Sequence, residues 1–210
     1  MILEKLVVGP FQCNCTILGC KKTREAVIID PGDEAELILA RIKALQLKPK
    51  FLIHTHAHLD HVGGTADVQE QCGGESCLHR GDEPLFDNVA MQAALFGLPT
   101  PRTGKIDQWI EDGDTIPFGA EKLQVLYTPG HTPGSVSFLW EQAAGDQIFT
   151  GDTLFNRSIG RTDLWGGNYE QIIASIQNKL LPLKENTIVH AGHGPNSTIG
   201  EEKRANPFLR

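Results

Sequence analysis

The stretch Thr55-His56-Ala57-His58-Leu59-Asp60-His61 follows closely on the apolar triplet Phe51-Leu52-Ile53. A triplet of this kind reads as a short buried strand, so the chain is expected to enter the run extended. Four side chains able to ligate a metal then fall within six residues. On a helix, residues two apart diverge by about 200°; on an extended segment they face the same side. His56 and His58 are therefore expected to share a metal, with Asp60 and His61 in a turn aimed at a neighbouring point. An open catalytic zinc site takes about three protein ligands and a water. The surplus, and the split into two pairs, points to two metals.

Two metals need more ligands from elsewhere, and three candidates stand at strand-to-turn boundaries. His131 sits in Thr128-Pro129-Gly130-His131-Thr132-Pro133-Gly134, Asp152 in Thr150-Gly151-Asp152-Thr153, and His193 in Ala191-Gly192-His193-Gly194. Glycines beside a ligand permit the sharp backbone turns that present it. Crowding these imidazoles and carboxylates together without a metal would be costly.

Working outward, residues 3–8, 16–19 and 26–29 are apolar, strand-like segments, and Asp30-Pro31-Gly32 closes the third. Residues 34–45 carry Leu37, Ile38, Ile42 and Leu45 at helical spacing. Residues 84–96 and 168–180 also read as helices, the latter with Tyr169, Ile172, Ile173 and Ile176 on one face. Short strands are expected at 108–111, 123–127, 135–140, 147–150 and 187–190, and a last helix at 198–204. Strands interspersed with helices in both halves predict a layered α/β sandwich. With no linker or repeat, one domain over residues 1–210 is expected.

Composition narrows the class. The 210 residues are 40% hydrophobic and 21% charged, with a formal net charge of -7. Acidic balance argues against a broad nucleic-acid footprint. No window approaches the roughly 20 apolar residues of a membrane span, and no signal-peptide pattern opens the chain, so a cytoplasmic protein without membrane contact is expected. The five cysteines, Cys13, Cys15, Cys20, Cys72 and Cys77, include no C-x-x-C pair, and no disulfide framework is expected. Cys13 and Cys15 read as buried packing thiols rather than ligands.

Thr55–His61 resembles the T-H-x-H-x-D-H signature of the metallo-β-lactamase superfamily, and Asp30, His131, Asp152 and His193 fall in the order of that superfamily's other motifs. The resemblance covers nearly the whole chain. It implies a four-layer αβ/βα sandwich with a two-metal site at one edge. Carried over by position, it assigns His56, His58 and His131 to one metal and Asp60, His61 and His193 to the other, with Asp152 bridging. The metals are expected to be two divalent ions, zinc first, with iron or manganese as alternatives, since these ligands accept all three. Such a pair can hold a bridging hydroxide at neutral pH, with Asp60 as the catalytic group that orients it while remaining a ligand. Asp30 matches a position that accepts a hydrogen bond from a ligand imidazole; it reads equally well as a turn residue. His54 shares the strand face of His56, and spacing alone does not exclude it; the family pattern leaves it outside. His79 and His190 have no ligand counterpart and are expected to be structural.

The segments His131–Ser135, Gly151–Phe155 and Gly160–Asp163 resemble the glyoxalase II branch, most of all its short bacterial members. This implies a thioesterase cleaving S-(2-hydroxyacyl)glutathione, such as S-lactoylglutathione, to glutathione and a 2-hydroxy acid. The chain departs from the longer enzymes in ending soon after His193, without most of their helical C-terminal region. Residues 156–163 also lack their basic-aromatic glutathione-binding pattern. Arg157 and Arg161 are the nearest cations that could meet a substrate carboxylate, with surface ion pairing as the competing role. The chain also resembles persulfide dioxygenases, which share Gly-Arg-Thr-Asp and hold one iron at positions matching His56, His131 and Asp152. Here the Gly-His-Thr-Pro-Gly-Ser and Gly-His-Gly-Pro stretches favour the hydrolase. Lactone or β-lactam hydrolysis is a further alternative on the same centre.

Overall fold

The computed structural model describes residues 1–102 and 104–209. The first half runs β1 (Ile2–Val8), β2 (Cys13–Gly19), β3 (Glu25–Ile29), α1 (Ala35–Ala44), β4 (Lys48–Ile53), α2 (Leu59–Val62), α3 (Thr65–Cys72), β5 (Glu75–His79), α4 (Glu83–Asp87), α5 (Val89–Leu95) and β6 (Gln108–Ile110). The second runs β7 (Thr115–Phe118), β8 (Glu121–Tyr127), β9 (Val136–Trp140), β10 (Gln147–Gly151), β11 (Leu154–Phe155), β12 (Ser158–Ile159), α6 (Tyr169–Ser175), β13 (Ile188–Ala191), β14 (Ser197–Thr198) and α7 (Ile199–Ala205).

Each half builds a six-stranded sheet. The first has the order β1-β2-β3-β4-β5-β6 and the second β14-β13-β10-β9-β8-β7. From β3 to β6 neighbours are parallel, as are β10 and β13; the other pairs are antiparallel. Parallel neighbours need a crossover, supplied by α1 between β3 and β4 and by α3 between β4 and β5. The sheets meet face to face. Leu18, Val27, Phe51 and Ile53 of the first bury against Phe118, Val125, Phe138 and Phe149 of the second, each contributing about 1.5–3 kcal/mol of transfer free energy. Outside the first sheet, Ile38 and Ile42 of α1 and Val68 of α3 pack on Ile17 and Ile28. Outside the second, Ile172 of α6, Ile176 and Ile199 pack on Leu139, Ile148 and Val189. The result is a four-layer αβ/βα sandwich.

Sequence pattern and structure differ in places, each with a local reason. α3 and β5 escape periodicity because α3 is polar (Thr65-Ala66-Asp67-Val68-Gln69-Glu70-Gln71-Cys72) and buries little besides Ala66 and Val68. β7 contains Pro117, which a sheet tolerates at an edge, and β7 is an edge strand. Residues 84–96 form two helices rather than one. Asn88 breaks them, its Nδ2 donating to the Pro84 carbonyl at 2.8 Å, a side-chain bond that competes with the helical ladder. Residues 168–180 start as predicted, with the Asn168 side chain capping Gln171 N–H at 3.0 Å, but close in a π-helical turn, Ile176–Leu180.

One consequence of this topology positions the site. Ile29 of β3 leads into Asp30, Ile53 of β4 into residues 54–61, Gly151 of β10 into Asp152, and Ala191 of β13 into His193. Loops at the carboxyl ends of parallel strands are free to converge, and here the ends from both sheets lie at one edge of the sandwich.

Candidate metal centre

Seven side chains converge there. Ligand atoms of His56, His58 and His131 lie within 4.8 Å of one another, as do those of Asp60, His61 and His193; His56, His61 and Asp152 form a third such set. The Asp152 carboxylate stands between the triads. Its Oδ1 is 3.5 Å from His61 Nε2, and its Oδ2 is 3.6 Å from both His131 Nε2 and His193 Nε2. Asp60 Oδ2 lies 3.2 Å from His193 Nε2 and 3.6 Å from His61 Nε2.

Local structure explains these placements. His56 and His58 lie in the irregular segment between β4 and α2, where His58 is extended (φ -72°, ψ 148°) and the two rings meet edge to face at 4.8 Å. Asp60 and His61 belong to the single helical turn α2. That turn packs onto the Asp30-Pro31-Gly32 turn so closely that a Cβ on Gly32 would lie 1.5 Å from the Asp60 carbonyl oxygen.

Hydrogen bonds aim the imidazoles. His61 Nδ1 donates to Asp30 Oδ2 at 3.0 Å, His131 Nδ1 to the Arg161 carbonyl at 2.8 Å, and His193 Nδ1 to the Gln12 carbonyl at 3.2 Å. Thr55 Oγ1 donates to Asp30 Oδ2 at 2.7 Å, which leaves its lone pair to accept from His56 Nδ1 at 3.0 Å. With Nδ1 of each turned to its acceptor, all four Nε2 atoms face the centre, as a ligating histidine requires; beside Asp60 and Asp152 the charged form of His61 and of His193 is favoured in the metal-free chain despite burial, so a metal would displace protons there. Asp30 thus lies beneath two of the convergent imidazoles, His61 directly and His56 through Thr55. It is buried, adopts a left-handed backbone (φ 51°), and is also bonded by Thr55 N–H at 2.7 Å.

The electrostatics suit a cation. Burial pushes His58 down to about 3, with His131 adding to the effect, and burial with the surrounding histidines holds His56 well below its ordinary value. Both are neutral at pH 7, the form that binds metal. Burial alone would raise the Asp60 carboxyl, but His61 and His193 outweigh it and hold Asp60 below the usual carboxylate range. Burial opposes charge on His193, yet Asp60 and Asp152 raise it. Protons and a metal cation therefore compete for the same carboxylates. Two buried atoms at the centre, His56 Nε2 and Asp152 Oδ1, have no hydrogen-bond partner among the described residues. Leaving such atoms unpaired costs about 1–3 kcal/mol each, and a divalent cation ligated by both removes that cost. The donor set of imidazoles and carboxylates fits zinc, iron or manganese.

The remaining sequence candidates are placed as follows. His54 is buried outside all three ligand sets, its Nε2 3.4 Å from Thr65 Oγ1. His79 stacks on Tyr127 and accepts from Gly81 N–H at 3.1 Å; His190 stacks on Phe149 and bonds Gln147 at 2.8 Å. All five cysteines are free. Cys13 lies 3.6 Å from His61 Nδ1, and burial pushes its thiol up to about 12, so it stays protonated and does not act as a thiolate ligand. Arg161 touches the centre through its carbonyl on His131, while its guanidinium forms a fork with Asp163 at 2.7 and 2.9 Å. Arg157 lies elsewhere, lining a cavity of about 330 Å³ with Ser197, Glu201 and Glu202 that none of the seven convergent side chains lines.

Three supporting residues escaped the motif reading. Asp82 is wholly buried. Gln92 ties the Ala57 carbonyl to the Leu59 amide, at 3.1 and 2.9 Å. Asn14 clamps the His193 loop, donating to the Ala191 and Gly194 carbonyls at 2.8 and 3.0 Å. None lies in a Gly-rich or His-rich stretch. For Asp82 the available signal was an acid just beyond a strand end.

Comparison with known proteins follows the same lines. The profile of the metallo-beta-lactamase superfamily matches residues 8–193. The hydroxyacylglutathione hydrolase GloC of Haemophilus influenzae is 42% identical over 211 residues, covering 100% of this chain and 98% of that protein. The bovine mitochondrial persulfide dioxygenase ETHE1 is 33% identical over 215 residues, covering 99% of this chain and 76% of that one. Among solved structures, the BLEG-1 B3 metallo-beta-lactamase superposes with a TM-score of 0.92 at 40% identity, covering 99% of both chains. TTHA1623 in a di-iron-bound form superposes with a TM-score of 0.89 at 40% identity, covering 98% of this chain and 100% of that one.

Proposed function

The chain belongs to the metallo-beta-lactamase superfamily and is a metal-dependent hydrolase of it, and from that premise we propose that it is a binuclear thioesterase cleaving S-(2-hydroxyacyl)glutathione. The observation that carries the two-metal reading is the second triad. A one-ion centre would be served by His56, His131 and Asp152 alone, yet Asp60, His61 and His193 also bring ligand atoms within 4.8 Å of one another, as tightly as His56, His58 and His131 do. The substrate class is supported by end-to-end similarity to the Haemophilus influenzae hydroxyacylglutathione hydrolase.

When bound, two divalent ions, zinc foremost, supply Lewis acidity at the thioester carbonyl and acidify a water for attack. The chain's own residues arrange the rest. His56, His58 and His131 would hold the first ion and Asp60, His61 and His193 the second, with the Asp152 carboxylate between the two sets available to both. Asp60, ionised as a ligand of the second ion, would accept a hydrogen bond from the attacking water and aim its lone pair. Water adds its oxygen to the carbonyl carbon and gives up one proton, the C–S bond breaks with its electron pair leaving on sulfur, and the thiolate takes up a proton in turn, giving a 2-hydroxy acid and glutathione. No covalent intermediate on the chain is needed. Arg161, released from Asp163, offers a cation to a substrate carboxylate.

The test is hydrolysis of S-lactoylglutathione by metal-stripped protein before and after zinc is restored. Metal-restored thiol release supports the reading. Oxygen consumption with glutathione persulfide on a single iron, and no thioester turnover, replaces it with the dioxygenase activity. Turnover confined to lactones or β-lactams replaces it with those substrates.

A further inference from the structure

Two buried carboxylates outside the seven convergent side chains support them. Asp30 is bonded to His61 of the second triad and, through Thr55 Oγ1, to His56 of the first. Asp82 is bonded to the segments of the first triad; it lies in the 3-10 turn Arg80–Asp82 at the end of β5 and is 0% exposed. Its Oδ2 accepts from Ala57 N–H and from Thr132 Oγ1, both at 2.8 Å, and its Oδ1 accepts from Gly134 N–H at 2.6 Å. Ala57 stands between His56 and His58, and Thr132 follows His131. A single carboxylate therefore joins the two chain segments that carry the first triad. There is no slack between them: a Cβ on Gly134 would lie 2.4 Å from Asp82 N and 2.7 Å from Asp82 Cβ. Two of the three donors are backbone amides, which can only donate, so the bonds are satisfied only by an acceptor at this position. Bonds to an ionised acceptor are also the stronger and more directional kind.

We propose that Asp82 is the positioning residue of the first triad: its carboxylate sets the spacing between the His56–His58 segment and the His131 loop, and with it the affinity of the first metal position. The inference rests on the two-metal reading. It predicts that the first position can be weakened through Asp82 with the second left intact, whereas a change at Asp30, which supports both His61 and His56, weakens both. In Asp82→Asn, one side of the group turns from acceptor to donor and opposes at least one of its three partners.

The test is cobalt(II) titration of metal-free protein, followed by visible absorption, for wild type, Asp82→Asn and Asp30→Asn, with thermal unfolding of each metal-free chain alongside. Asp82→Asn is expected to weaken one ion on the order of 10- to 100-fold and to leave the other at wild-type affinity, whereas Asp30→Asn weakens both. Wild-type affinity for both ions in Asp82→Asn overturns the inference. So does parallel weakening of both ions with a matching drop in Tm of the metal-free chain, which is what a merely structural residue would give. Should Asp82→Asn fail to fold, Thr132→Val, which removes one of the three bonds, is judged by the same rule with a smaller shift. Should wild type bind one ion, the two-metal reading fails. The role of Asp82 is then decided on that ion: weaker binding in Asp82→Asn upholds it, and unchanged binding overturns it.

Discussion

His58 Nδ1 and His131 Nε2 stand 2.9 Å apart, brought together from the two halves of the chain. His131 Nδ1 is bound to a carbonyl, so its Nε2 lone pair points at the His58 nitrogen. Burial keeps His58 neutral, its pKa pushed down to about 3. In the metal-free chain neutral His58 can donate its one ring proton from Nδ1 to that lone pair; with the proton on Nε2 instead, both nitrogens face a shared metal ion, the partner the donor set fits. Metal binding should therefore stabilise the fold measurably. At a free concentration a hundredfold above Kd the gain is about 2.7 kcal/mol, or about 5–10 °C in Tm for a chain of this size. Thermal scans with zinc and with a chelator should differ by that amount; coincident curves would contradict the prediction.

The Gly32 contact gives a second expectation. A Cβ there would meet the Asp60 carbonyl oxygen at 1.5 Å, so Gly32→Ala must push α2 away from the Asp30 turn. Overpacking of this kind costs about 1–3 kcal/mol, and a displacement of about 1 Å at Asp60 and His61 lowers turnover on the order of 100-fold. Steady-state kinetics beside urea denaturation check both numbers. Full activity in a folded Gly32→Ala would mean that α2 is not held by this turn.

Acid sensitivity follows from His190. Burial, with Lys5 adding to it, lowers this imidazole to about 4 from its ordinary 6.5. The unfolded chain therefore takes up a proton here before the folded one does. The associated stability is complete above pH 6.5 and is lost as pH falls from 6.5 toward 4, by about 3 kcal/mol at most. His190→Gln removes that contribution. Its urea midpoint is expected to fall less steeply than wild type between pH 6.5 and 4, although the variant is less stable at pH 7 through loss of the Phe149 stack. Parallel pH profiles would count against it.

The two arginines should separate kinetically. Arg161 borders the centre but is paired with Asp163, whereas Arg157 lines the Glu201–Glu202 cavity. Arg161→Ala is expected to raise KM for an anionic thioester about tenfold with little change in kcat, and Asp163→Asn to lower KM by freeing the guanidinium. Arg157→Ala should change KM less than Arg161→Ala does. The reverse order would move the substrate carboxylate to the other side of residues 156–163.

Much of the centre was legible in the order of residues. His56, His58, Asp60 and His61 announce themselves because metal chemistry needs those side chains at short spacing, and His131, Asp152 and His193 because each sits among glycines at a strand end. Strands with a clean apolar run, such as β3, or with apolar-polar alternation, such as β8, were visible in the sequence too. Asp82 and Gln92 were not, since a buried acid or amide takes its meaning from backbone amides far away in sequence. α3 is polar almost throughout, so its place rests on the crossover between β4 and β5 rather than on its own periodicity. The break at Asn88 depends on one side chain reaching back to Pro84, which no periodic pattern encodes.

The central claim is that seven side chains form two adjacent metal positions. Anomalous X-ray diffraction from crystals of zinc-loaded protein, collected on both sides of the zinc edge, tests it most directly. The account predicts two peaks, one enclosed by His56, His58 and His131 and the other by Asp60, His61 and His193, with Asp152 touching both. A single peak held by His56, His131 and Asp152, with Asp60 and His193 turned away, would contradict it.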